Sequence, residues 1–254
     1  MIDTHAHLEE QFYTEEEIES AVRNAKEAGV KLIINSGTNA VSSKEVIKIA
    51  EKYPDIMRVT IGIHPNNIDE SFEEEFRVIK NLANHPLVIG IGECGLDYYR
   101  SEKKEAQTHA FKCHLDLAVK HNLPVVVHSR EAVDEVYEIL KDYKLKGILH
   151  CFLGDEGDAL KFIELGYLIG IGGIVTFKNS NLKEVIKEID LRNIVLETDS
   201  PFLSPMPFRG QKNEPARVRE IALFIAKIKN KSATEITKIT SDNTTRLFDK
   251  IPEF

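Results

Sequence analysis

PVVVHSREAVDEVYEILKDYKLKGILH, residues 124–150, holds one full turn of the pattern that decides the fold. Pro124–His128 is a short β-branched run ending in a histidine. Glu131–Asp142 carries apolar residues at helical spacing, and Gly147–His150 is a second apolar run that again ends in a histidine. Strand, helix and strand at this spacing make a βα unit feeding a parallel sheet.

The same alternation extends in both directions. Further strands are expected at Met1–Thr4, Lys31–Ser36, Met57–Ile63, Val88–Gly92, Tyr167–Ile171 and Asn193–Glu197. Helices are expected from Thr14 to Ala28, with Thr14 and Glu17 spaced as a capping box, and at Ser42–Lys52, Glu73–Ala83, Lys104–His121, Gly157–Leu165, Leu182–Ile189 and Glu214–Lys229. Eight such repeats in 254 residues predict an α/β chain, a (β/α)8 TIM barrel forming a single domain over residues 1–254. A doubly wound open sheet is the competing arrangement. After about residue 230, Thr234–Thr237 and Asp242–Leu247 each look like capped helix starts, which predicts one or two short accessory helices packed outside.

Hydrophobic residues make up 42% of the chain and charged residues 29%, enough to build a large core and a solvated surface. The net charge of −8 argues against extensive wrapping of duplex DNA, which needs many cations to release counterions. It leaves room for an enzyme that grips one strand end with help from bound metal ions. Three cysteines without C-x-x-C spacing suit a reducing compartment. The start lacks the features of a signal peptide, and no apolar run approaches about 18 residues, so no membrane span is expected and the cytoplasm is the expected location.

Barrel enzymes carry their reactive groups at the C-terminal ends of the strands. His5 and His7 end the first expected strand, Glu93 follows the fourth, His128 ends the fifth, His150 ends the sixth, and Asp199 follows the eighth. His5 and His7, two residues apart, point the same way and can chelate one ion; His128 and His150 can each offer an imidazole to a second. Imidazoles mixed with carboxylates favour Zn²⁺ or Mn²⁺, with Mg²⁺ fitting a weaker second position. Two divalent metal ions per chain are expected. Gly90–Gly95 contains three glycines without dinucleotide-binding spacing and reads as a tight turn presenting Glu93. Period-two alternation turns Cys151 away from the mouth, into the core.

With these residues in place, the chain resembles the TatD family of metal-dependent deoxyribonucleases, within the amidohydrolase-like barrels. The resemblance runs from Ile2-Asp3-Thr4-His5-Ala6-His7-Leu8 and Gly62-Ile63-His64-Pro65 to Gly90-Ile91-Gly92-Glu93-Cys94-Gly95-Leu96-Asp97-Tyr98-Tyr99. It continues through Pro124–Arg130, His150-Cys151-Phe152, Gly173–Phe177, Glu197-Thr198-Asp199-Ser200-Pro201-Phe202-Leu203, Arg209-Gly210 and Asn213-Glu214-Pro215. It implies that His5, His7, Glu93, His128, His150 and Asp199 are metal ligands, with Glu93 bridging. It places His64, Arg130, Arg209 and Glu214 near the substrate. It also implies hydrolysis of DNA, often 3′-to-5′ from single-stranded ends, and sometimes of RNA, by a monomer. Two positions depart from the family pattern: Leu153 stands where a small hydroxyl residue is usual, and Gly172 where a serine is common.

The expected function is therefore a metal-dependent deoxyribonuclease in which Asp199 holds the attacking water and takes its proton, and His64 contacts the phosphate or leaving group. Arg130 and Arg209 are suited to pairing with phosphate. Each has a plainer alternative: a turn residue before Pro65, a salt bridge to Glu131 or Glu93, a solvated side chain. Glu214 can equally serve the helix start at Pro215. Tyr98 and Tyr99 can stack on a base or pack over the rim. The alternative enzymatic function is hydrolysis of a small ester, amide or phosphoester, since this scaffold hosts many substrates. A non-catalytic binding protein on the same barrel is a third reading, which the full ligand set disfavours.

Overall fold

The βα alternation closes on itself. In the computed structural model, which describes residues 1–251, eight parallel strands follow one another in chain order around the sheet. They are β1 Ile2–Ala6, β2 Leu32–Ser36, β3 Met57–Ile61, β4 Val88–Asp97, β5 Val125–Arg130, β6 Gly147–Leu149, β7 Leu168–Ile171 and β8 Ile194–Leu196. The ring is completed beyond β8, where the Asp199 amide donates to the His5 carbonyl at 2.9 Å and the His7 amide donates to the Ser200 carbonyl at 2.7 Å. This is the TIM barrel, and the open doubly wound sheet is set aside.

Helices α1 Glu15–Glu27, α2 Ala40–Lys52, α3 Phe72–Leu82, α4 Lys104–His121, α5 Val133–Leu140, α6 Glu156–Glu164, α7 Leu182–Glu188 and α8 Val218–Lys229 form the outer ring. The Thr14–Glu17 capping box starts α1 as expected, with the Thr14 amide donating to Glu17 at 2.8 Å. Helix α5 begins at Val133, two residues later than expected, because Glu131 takes a left-handed backbone (φ 53°) after the strand. Among the described residues, no helix is long and apolar enough to cross a membrane.

Two corrections concern elements near the two ends of the barrel. Gly90–Gly95 is not a turn: β4 continues through it to Asp97. Gly92 and Gly95 have φ of 139° and 142°, and a Cβ at Gly95 would lie 2.0 Å from the His128 carbonyl oxygen. Glycine is needed there so that the β4 backbone can lie against β5. The tail, expected as short outer helices, is one 15-residue helix, α9 Ala233–Leu247, capped by Ser232 and Glu235. Its end delivers Phe248 into the barrel. Phe248 is buried with Ile2, Leu32, Ile34, Ile89, Val126, Ile148, Leu168 and Val195, and plugs the floor of the interior.

That apolar interior row sets up the site. Strand side chains alternate, so the residue two beyond an interior one faces inward one layer higher. Val126 is thus followed by His128, Ile148 by His150, Val195 by Glu197 and then Asp199. In β1 the register with β2 shifts between Asp3 and Ala6, and both Ile2 and His5, three residues apart, face inward; His5 Nδ1 lies 3.2 Å from Ser36 Oγ.

Below the mouth, His114 of α4 is fully buried. It accepts the Ile63 amide at Nε2 (3.0 Å) and donates from Nδ1 to the Ala110 carbonyl (2.7 Å), which fixes the neutral ring. Burial pushes its pKa down from the usual 6.5 to about 4. The unfolded chain binds this proton first, so stability is complete above pH 6.5 and falls as pH drops toward 4, by on the order of 3 kcal/mol from this residue. In urea unfolding at pH 7 and pH 4.5, His114→Gln is expected to flatten the pH dependence by about that amount; equal slopes would contradict it.

Candidate metal centre

Glu93 stands at the centre of the mouth, 3% exposed. Five imidazoles converge on its two oxygens: His128 Nδ1 at 2.8 Å, His64 Nε2 at 3.3 Å, His5 Nε2 at 3.4 Å, His7 Nε2 at 3.6 Å and His150 Nε2 at 3.7 Å. Burial alone would raise the Glu93 pKa; the surrounding imidazoles overcome it and hold the carboxyl well below its usual range. Asp199 Oδ1 completes the cluster, 3.4 Å from His7 Nε2 and 3.8 Å from His150 Nε2. All six residues expected as ligands meet here.

Ring hydrogen bonds decide which nitrogens face the centre with lone pairs. His7 Nδ1 lies 2.9 Å from the Ser36 carbonyl oxygen, which can only accept, so Nδ1 carries the proton and Nε2 offers its lone pair. His5 Nε2 lies 3.0 Å from His7 Nε2, and burial lowers the His5 pKa to about 4, which keeps that ring neutral. With the His5 proton on Nδ1, toward Ser36 Oγ at 3.2 Å, both Nε2 lone pairs would face the same space, where a cation would sit between them. His64 differs: its Nδ1 accepts the Asn66 amide at 3.1 Å, leaving Nε2–H as a donor toward Glu93. It is thus placed to donate into the centre rather than to ligate.

Nitrogen and anionic oxygen donors together fit a divalent transition metal. Among the described residues, four groups offer one ligand atom per residue within reach of a single ion: His5, Glu93 and His150; His5, His7 and Asp199; His64, Glu93 and His128; and His150, Cys151 and Glu197. Glu93 belongs to two of them, which suits the bridging position expected for it. The expected pairing of His128 with His150 is revised. The His150 ring stacks on His5 with centroids 3.6 Å apart, whereas the His128 and His150 centroids are 6.3 Å apart and His128 sits against His64 at 4.5 Å.

Outer carboxylates that sequence reasoning quoted within motifs but left without a role hold these rings. Asp97 Oδ2 lies 3.2 Å from His128 Nε2. Against the effect of burial, Asp97 and Glu93 raise the His128 pKa, while His128 and Asn66 lower that of Asp97. Glu197, fully buried, places Oε1 3.1 Å from His150 Nδ1, off the ring's N–H direction, and accepts the Cys151 amide at 2.6 Å. Together the acids offset burial and push the His150 pKa up to about 10. A Cβ at Gly170 would lie 2.5 Å from Glu197 Oε2, so glycine there leaves room for this carboxylate. Asp3 joins β1 to the loop after β8, accepting the Thr198 amide at 2.8 Å and its hydroxyl at 2.6 Å, and burial pushes its pKa up to about 8. Glu197→Gln is expected to weaken metal binding about tenfold with the fold intact, because the negative charge behind His150 is lost, measured by metal titration; unchanged affinity would contradict that role.

Cys151 is not a core residue. Strand β6 ends at Leu149, and Cys151 takes a left-handed backbone (φ 45°) that brings it, half-buried, beside His150 and Glu197. Burial and the neighbouring acids push its thiol pKa well up, which keeps it protonated.

At the rim, the Arg130 guanidinium lies 3.9 Å above the Tyr99 ring, and Arg209 lies 4.5 Å above the Phe177 ring. Glu214, expected near the substrate, lies just before the Pro215 turn. It accepts from Asn24 of α1 at 2.8 Å and sits in a separate groove with Tyr13 and Lys212.

The model of a family described as TatD related DNase matches residues 2–249. The chain belongs to the TatD family. Among TatD relatives, an uncharacterised metal-dependent hydrolase of Bacillus subtilis strain 168, YabD, is 38% identical over 98% of both chains. A protein of Erwinia tasmaniensis named 3′-5′ ssDNA/RNA exonuclease TatD is 34% identical over 91% of this chain and 93% of its own. The crystal structure of YjjV, a TatD homologue of Escherichia coli K12, superposes with a TM-score of 0.91 at 30% identity, over 99% of this chain and 98% of that one. Metal-dependent hydrolysis is therefore the activity of this TatD-family chain.

Proposed function

We propose that this hydrolase is a deoxyribonuclease that uses two divalent ions, Zn²⁺, Mn²⁺ or Mg²⁺, to trim single-stranded DNA ends in the 3′-to-5′ direction, with RNA as a second substrate. The observation that carries the reading is one buried carboxylate ringed by five imidazoles, with arginines laid on aromatic rings at the rim. A guanidinium is suited to a backbone phosphate and an aromatic ring to a base. The name of the Erwinia relative points the same way.

Bound in this cluster, the ions lower the cost of ionising water and neutralise charge on the phosphoryl oxygens. The remaining work falls to side chains. Asp199, held below the usual carboxylate pKa by His7 and His150 against the effect of burial, is ionised at neutral pH and takes the proton from the attacking water. His64 turns its Nε2–H toward the same space and can donate to the phosphoryl or leaving oxygen. Arg130 and Arg209 hold the strand.

Oligonucleotides labelled at the 3′ or the 5′ end, incubated with each ion, test the reading. Immediate release of the 3′ label and a shortening ladder from the 5′-labelled strand are expected. Intact strands under every ion, alongside turnover of small esters or amides, would overturn it.

A further inference from the structure

We infer that the cleft beside His150, between the loops following β5 and β6, is a subsite for one nucleobase of the substrate strand, and that Leu153 is the side chain that makes it so. This inference rests on the nuclease reading. The cleft encloses about 460 Å³, within the roughly 300–1,000 Å³ range of small-ligand sites. His150 forms part of its wall, so an occupant lies directly beside the metal centre.

Its chemistry is divided. Leu149, Phe152 and Phe162 give it buried apolar surface. At the rim, Leu153 and Tyr99 are 45% and 58% exposed, and both line the cleft. Large apolar groups held in water beside a reaction centre gain by being covered, and a flat heteroaromatic ring covers them while stacking on Tyr99. Leu153 extends the apolar wall outward from Phe152 to the rim.

Polar groups narrow the occupant further. Asp155 and Asp158 line the cleft as well and disfavour a phosphate beside them. Arg130 also lines the cleft, stacked on Tyr99, and its guanidinium is suited to a phosphate adjoining the base. Ser129 Oγ, also in the lining, is buried without a hydrogen-bond partner and can serve the polar edge of a base. A base in the cleft with its phosphate toward Arg130 satisfies each of these groups.

The test compares binding of dAMP and of 2-deoxyribose 5-phosphate to the metal-loaded full chain by calorimetry, in the parent and in Leu153→Asp and Leu153→Ser. Metal content and melting temperature check each variant. The parent is expected to bind dAMP about tenfold or more tightly than the sugar phosphate. Leu153→Asp should lose most of that ratio, since its charge acts on the phosphate of both ligands while the lost apolar wall weakens dAMP alone, and Leu153→Ser should lose part of it. A parent ratio near one, or a ratio unchanged in folded, metal-loaded variants, overturns the subsite. Oligonucleotide turnover is read separately. Base-dependent binding through Leu153 without strand cleavage keeps the subsite and removes the nuclease reading; cleavage with a ratio of one does the reverse.

Discussion

Asp199→Asn is expected to reduce kcat for hydrolysis by about 10²- to 10⁴-fold, the usual contribution of a positioned general base. Asp199 follows β8 on a left-handed backbone (φ 54°), which aims its carboxylate at His7 and His150 across the mouth. Its side chain is 13% exposed, the most open of the two central carboxylates, and so the one that water can reach. Asparagine keeps the shape and removes the proton acceptor. Because Asp199 is also a candidate ligand, metal content must be measured with the rate. A fall in kcat with metal retained isolates the proton-transfer role; turnover near that of the parent would contradict it.

Phe248→Ala is expected to destabilise the fold by about 3–5 kcal/mol, the range for emptying a large aromatic side chain from a core. For a chain of this size that corresponds to a melting temperature lower by on the order of 10 °C. Phe248 is 1% exposed and shares one buried cluster with residues of β1, β2 and β4 to β8, so its loss opens the barrel floor, where only the partly buried Leu247 and Ile251 pack beside the cluster among the described residues. The metal centre lies at the opposite end of the strands, so the variant assayed well below its melting point is expected to keep the parent's metal affinity. A melting shift of only a degree or two would show that the plug contributes little.

The barrel was legible in the sequence because each strand announces itself locally, as a short apolar run followed by a charged stretch of helical period. The ligands at its mouth were legible for the same reason. Val126 and His128, or Ile148 and His150, are two apart, and period two is a property of the strand alone. What escaped depends on distances between strands. His128 pairs with His64 and His150 with His5 because strand tilt and register decide which strand ends converge, and neither is written in any single segment. The roles of Asp97 and Glu197 were hidden because a buried acid in a motif looks the same whether it binds metal or holds a histidine. Cys151 followed the alternation on paper, but a left-handed residue breaks the period just past β6. In the tail, Asp242 resembled a cap; Thr240 and Thr244 instead bond back to the Ile236 and Thr240 carbonyls within one continuous helix.

The most direct measurement of the central claim is metal content read together with turnover, before and after stripping the protein with a chelator. Two divalent ions per chain are expected, with hydrolysis lost on stripping and restored by adding Zn²⁺, Mn²⁺ or Mg²⁺. Hydrolysis that persists undiminished in the stripped protein would contradict the account, because the imidazoles around Glu93 would then be doing something other than holding the ions that activate water.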